Sequence, residues 1–201
     1  MDAYSVLTTI GTFLLKITER WILIFLHTFD KDVIWITLPV YITWFFTHYF
    51  QEKKETSFGN AATNGTIAIW VALDWIRQMV TRLGINPIKL GLAVFLIIYG
   101  IWITIEAIRA KPVAKYLGRI NELAYFQLTL TPIMYNKIPL DFLSIMAIIF
   151  YFPIFYLLTS WLFKVLPEPY YMKQEEEKEF YSFGPSDWNV YGGQDQTFIP
   201  A

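Results

Sequence analysis

The 201 residues contain no cysteine, which excludes disulfides, thiolate metal sites and cysteine nucleophiles. Histidine occurs only as His27 and His48, and there is no phosphate-cradling glycine loop and no paired His/carboxylate metal spacing. The two histidines flank the Asp30–Lys31–Asp32 turn and would have to face each other to ligate a haem or copper ion. Their aromatic neighbours Phe25, Phe29, Phe46 and Tyr49 instead suit histidines at a membrane interface. No metal, no cofactor and no nucleic-acid partner is therefore expected. Charge is scarce as well. Charged side chains make up 16% of the chain, against about 25% in soluble domains.

Apolar and aromatic mass takes their place, with 55% hydrophobic residues and 19% aromatics. The net charge of −1 hides a division: residues 1–165 hold 14 basic and 10 acidic residues, and residues 166–201 hold 2 basic and 7 acidic. A mildly cationic, apolar body thus carries an acidic tail.

A helix needs roughly 20 residues to cross about 30 Å of hydrocarbon. Four charge-free runs approach that length: Val33–Gln51, Thr56–Leu73, Leu90–Ile105 and Phe142–Phe163. Extended through their flanks they predict spans at 33–51, 61–82, 88–108 and 141–164. Inside a bilayer each backbone group must bond within its own segment, so these runs are helical. The expected fold is all-α and polytopic: four transmembrane helices, an amphipathic N-terminal helix within 1–30, a transmembrane domain over 31–166, and an extended acidic-aromatic tail over 167–201.

Local punctuation supports these limits. Gly84 suits a left-handed cap on the second span, and Asn86–Pro87 supplies an N-cap and a first-turn proline for the third. The two spans should form a tight hairpin. Pro39 and Pro153 fall inside the first and fourth spans and should kink them. In residues 4–30 the polar positions Ser5, Thr9, Thr12, Lys16, Arg20, His27 and Asp30 recur at helical spacing, as in a helix lying in the interface or packed on a partner. Lys111, Lys115 and Arg119 form a basic row opposite Val113, Tyr116, Leu117, Ile120 and Ala124, which reads as an interfacial helix near 111–125 on anionic lipid headgroups. Counting basic residues puts the 109–140 loop in the cytoplasm and the acidic tail outside, in the plasma membrane. No secretory signal is visible at Met1–Asp2–Ala3.

The second span carries the most specific patterns. Ala61, Gly65, Ala68 and Ala72 place small side chains on one stripe, which permits close approach by another helix of this chain or of a partner. Asp74 has Arg77 and Gln78 one turn on, about 12 Å inside the span's end at about 1.5 Å per residue. A carboxylate at that depth needs a partner, and an Asp74–Arg77 pair supplies one; a proton or ion carrier is the functional alternative. Glu106 with Arg109, and Asp141 opening the fourth span, are expected together at the cytoplasmic ends, away from Asp74. Asn60, Asn64, Asn121 and Glu122 add polar groups at that edge. Aromatics at the span ends fit interfacial belts, while Tyr151–Tyr156 beside Pro153 could line a pigment, quinone or lipid groove. In the tail, Phe180, Tyr181, Phe183, Trp188, Tyr191 and Phe198 suit an arm that becomes ordered on a partner subunit.

With so much adhesive surface and no nucleophile–base pair, the expected role is a non-catalytic integral subunit of a larger membrane complex, contacting the bilayer, anionic lipids and other membrane subunits. The alternative is a small transporter or proton-coupled component using Asp74 with Glu106 and Asp141. A membrane-embedded enzyme acting on lipid headgroups at the Glu106/Asp141 end comes third.

Overall fold

Helix is the dominant form of the described residues, 3–53 and 57–167 of the computed structural model, and no strand occurs among them. The elements are α1 (Ala3–His27), α2 (Ile34–Lys53), α3 (Phe58–Gln78) with a π-helical turn (Met79–Leu83), α4 (Pro87–Ile108), α5 (Pro112–Leu117), α6 (Ile120–Met134) and α7 (Phe142–Val165).

Helices α3 and α4 pack closely as a hairpin. Ser57 caps α3 by accepting from the Asn60 amide at 3.1 Å, and Asn86 caps α4 by accepting from the Ile88 and Lys89 amides at 3.0 and 3.2 Å, with Pro87 in the first turn. Gly84 closes the hairpin at φ 79° and ψ 151°. The positive φ is as expected, but the ψ is extended rather than left-handed helical, a region essentially confined to glycine. The helices touch backbone to backbone where Gly65 meets Gly100. A Cβ on Gly65 would lie 2.7 Å from the Gly100 carbonyl oxygen, and one on Gly100 would lie 2.6 Å from that of Gly65.

The segment between α4 and α7 departs from expectation. Residues 111–125 do not form one interfacial helix: α5 stops at Leu117, Gly118 packs on Ala61, and the chain then turns into the bundle as α6. Twelve of the fifteen residues of α6 are buried. Ile120 and Ala124, expected on a lipid-facing stripe, lie in the core with Val71, Trp75 and Leu128. Charge-free length could not reveal α6, because it is short and carries Asn121, Glu122, Gln127, Thr129 and Thr131. Such groups enter a core when they find partners there. Asn121 accepts from the Trp44 indole at 3.0 Å and donates to Thr159 at 3.1 Å; Trp21 donates to the Tyr125 hydroxyl at 3.2 Å, which itself donates to the Ile148 carbonyl at 2.7 Å. The Trp75 indole donates to Thr131 at 3.1 Å. Thus α6 is tied to α1, α2, α3 and α7.

The second half of α1 packs on α6 and α7. Ile17 and Ile24 are buried, Trp21 stacks on Tyr151 at 4.6 Å, and Thr18 shares a hydrogen bond of 2.5 Å with the Tyr151 hydroxyl. Residues 4–16 extend without such cover. Pro39 and Pro153 lie within α2 and α7, and Pro132 within α6.

Two described helices, Pro87–Ile108 and Phe142–Val165, are long and apolar enough to cross a membrane, with only 28% and 22% of their apolar windows buried. Helices α2 and α3, which carry the other two expected spans, are more polar. The first includes Thr37, Thr43, Thr47 and His48, and the second Asn60, Asn64, Asp74 and Arg77.

Candidate functional site

Burying a carboxylate demands compensation, and Asp74 shows how the chain meets that demand. Its side chain is 10% exposed. Arg77, one turn on, donates from Nε to Oδ1 at 2.9 Å, and a second guanidinium nitrogen bonds the same oxygen. The other oxygen, Oδ2, accepts from the Tyr135 hydroxyl, which receives a bond from Gln78 Nε2 at 3.3 Å. Tyr135 caps the C-terminus of α6, so a tertiary contact joins the expected helical pair. These groups border an open cleft of about 490 Å³, whose wall also includes Lys31, Asp32, Trp35 and Arg82.

Several chain connections meet at this end of the bundle. In the α6–α7 loop, Lys137 Nζ bridges Asp32 at 3.0 Å and Asp30 at 3.8 Å. The hydrogen bond to Asp32 holds the Lys137 ammonium above its ordinary pKa. Burial pushes Asp32 upward, but the hydrogen bond and charge of Lys137 outweigh it and leave that carboxyl below its ordinary value. His27 Nδ1 lies 2.9 Å from the Asp30 carboxylate. Lys89 is buried near the start of α4, and its ammonium donates to the Ile133 carbonyl and to Asn136 Oδ1, at the C-terminus of α6. A cation there meets the negative end of the helix dipole. At the start of α7, Asp141 Oδ1 accepts from the Ser144 amide at 2.8 Å, and Oδ2 pairs with Arg20 at 3.5 Å.

The three expected acids are not assembled into one site. Because α6 carries the chain back through the bundle, Asp141 falls at the same end as Asp74, and Glu106 lies at the opposite end, paired with Arg109 at 3.6 Å. This corrects the grouping of Glu106 with Asp141. Each acid has its own arginine: Arg77 for Asp74, Arg109 for Glu106 and Arg20 for Asp141. The small-residue stripe faces within the chain: Ala61, Gly65, Ala68 and Ala72 are all buried, with Gly65 against Gly100 of α4 and Ala61 against Gly118. Asn64 secures the same junction by donating to the Gly118 carbonyl at 2.7 Å. In the basic row, Lys111 is exposed, Lys115 lies 5.0 Å from the Phe58 ring centroid, and Arg119 lies 6.0 Å from that of Tyr156. His48 packs edge-on against Phe163 at 4.6 Å, far along α2 from the turn beside His27. No group of three or more metal-ligating side chains occurs among the described residues. The aromatic tail from Glu168 onward lies outside them.

Comparison with protein-family models, curated proteins and solved structures gives no match. Tyr135 and Lys89 are the site-forming residues whose roles the sequence does not disclose. Both depend on α6: Tyr135 is its C-cap residue, and Lys89 bonds the Ile133 carbonyl and Asn136 at the same end.

Proposed function

We propose that the chain is a polytopic membrane protein of the plasma membrane. In this reading α2, α3, α4 and α7 cross the bilayer around the enclosed α6, and the chain serves as a non-catalytic subunit of a larger assembly. The observation that carries the subunit reading is the first half of α1. Residues 4–16 are almost all exposed, with Tyr4 at 79%, Leu7 at 70% and Leu15 at 72%, while Thr8, Thr9, Thr12 and Lys16 interrupt the apolar surface. The bundle does not use this stretch, and an isolated helix of such length is marginal in water. It acts as an arm on a neighbouring subunit. Exposed Phe95 and Ile98 on α4, with Leu157 and Trp161 on α7, support the lipid contact of the body.

Extraction in mild detergent should yield a complex larger than the chain, and deleting residues 4–15 should release a folded body from it. A well-ordered monomer from the intact chain would overturn the subunit reading.

A second reading draws on the cleft at Asp74, where a nearly buried carboxylate meets a tyrosine hydroxyl beside Lys31 and Arg82. Here the chain would move an ion or proton. In proteoliposomes, Asp74→Asn would then abolish transport while leaving the fold intact. Loss of the protein from the membrane would identify the Asp74 contacts as structural.

A further inference from the structure

A second cleft, of about 310 Å³, opens between α4 and α6 with buried Trp75 of α3 in its wall. Exposed Phe95 and Phe126 stand at its surface, and Leu92, Leu96 and Leu130 make it almost wholly apolar. Its size and lining are those of a small-molecule site.

The polar groups along this cleft differ in one respect. The Trp75 indole is taken by Thr131 at 3.1 Å, and the Tyr99 hydroxyl donates to the Leu117 carbonyl at 3.0 Å. Gln127 is 1% exposed, yet neither its Nε2 nor its Oε1 has a hydrogen-bond partner. A buried amide without partners is costly, and a ligand in the cleft could relieve that cost.

We propose that this cleft binds a neutral lipid alcohol, with its apolar body among the leucines and phenylalanines and its hydroxyl on the Gln127 amide. A hydroxyl both accepts and donates, matching the two vacant functions of a carboxamide, whereas a hydrocarbon matches neither. Glu122 also lines the cleft. Gln127 is midway along α6, about 10 Å from either end at about 1.5 Å per residue. A phospholipid headgroup would not be held at that depth, but a single hydroxyl needs only one polar partner there. The inference rests on the membrane reading above and is independent of complex formation.

The test uses the full chain in detergent solution with a diazirine-bearing long-chain alcohol as the photolabel. Labelled peptides should map to α4 and α6 around Phe95, Phe126 and Leu130. Hexadecanol should compete and hexadecane should not; cholesterol in a separate arm tells a ring-bodied alcohol from a chain-bodied one. Gln127→Leu should remove about tenfold of the preference for alcohol over hydrocarbon, the effect of about one lost hydrogen bond. The same variant should unfold at a higher temperature without ligand, because the vacant amide is gone. Leu92→Trp, which fills the cleft, should suppress labelling. Labels spread evenly over α1 and α7, or an alcohol preference unchanged in a folded Gln127→Leu protein, would overturn the proposal. Release of the protein from membranes by alkaline carbonate would overturn the membrane reading separately, since the labelling pattern in detergent still decides the cleft.

Discussion

The α3–α4 hairpin and helix α6 share one bundle but are held by opposite means. The hairpin is held by shape: Gly65 and Gly100 bring two backbones together, with Ala68 and Ala72 buried on the same stripe. Helix α6 is held by polar partners on four other helices, through Asn121, Tyr125, Thr131 and Tyr135. Close packing needs only small side chains at the right spacing. A polar core helix is held where its donors and acceptors find complements on neighbouring helices. The first arrangement therefore has little tolerance for volume, and the second has little tolerance for lost hydrogen bonds.

The most damaging test of that contrast is Gly65→Leu. Even a Cβ there would stand 2.5 Å from Thr104 Oγ1 and 2.7 Å from the Gly100 carbonyl oxygen, and that backbone cannot move aside. The expected loss is about 3 kcal/mol, read as a lowered unfolding temperature in detergent. A variant as stable as the parent would show that the hairpin does not depend on this contact.

Next comes Asn121→Leu, which nearly conserves volume and removes both an acceptor and a donor. The Trp44 indole and Thr159 both lose a partner, while the hairpin contacts are untouched. The expected cost is about 2 kcal/mol. If the substitution instead stabilises the protein, packing and not hydrogen bonding holds α6.

The same contrast explains what the sequence discloses. The hairpin is legible because its determinants are local: the glycine–alanine stripe, Asn86–Pro87 and Gly84 each carry their meaning within a few residues. Asp74–Arg77 is legible for the same reason. Helix α6 is hidden because its fifteen residues hold polar groups that read as interface or loop until Trp44, Trp75 and Thr159 are beside them. Missing α6 also misplaces Asp141 and moves Lys137 to the opposite end of the bundle.

Lys89 links the two regimes, since it sits in the hairpin and caps α6. Lys89→Met keeps the apolar stem and removes the ammonium from the Ile133 carbonyl and Asn136. Relief from burying a charge offsets part of the lost bonding, so the expected net cost is about 1 kcal/mol. Increased hydrogen exchange should be confined to the last turn of α6. Exchange rising equally along α3 and α4 would show that the hairpin and α6 unfold as one unit.

The smallest effect belongs to the pair outside both regions, Lys137 with Asp32. The side chains are 30% and 42% exposed, so solvent screening leaves about 0.5 kcal/mol at most. Asp32 titrates below its ordinary value in the folded protein, so its contribution is present above an ordinary aspartate pKa and fades as pH falls through the lowered value. Lys137 titrates above its ordinary value, so its contribution is complete below an ordinary lysine pKa and fades as pH rises through the raised one. The stability difference between the parent and Lys137→Met should therefore form a plateau around neutral pH and shrink towards both extremes. Unfolding temperatures of the two proteins, compared from acid to alkaline pH at low and high salt, measure it directly. A difference that persists into strong acid would mean that Lys137 acts by packing its stem against the α1–α2 turn, as the hairpin does, and not through its charge.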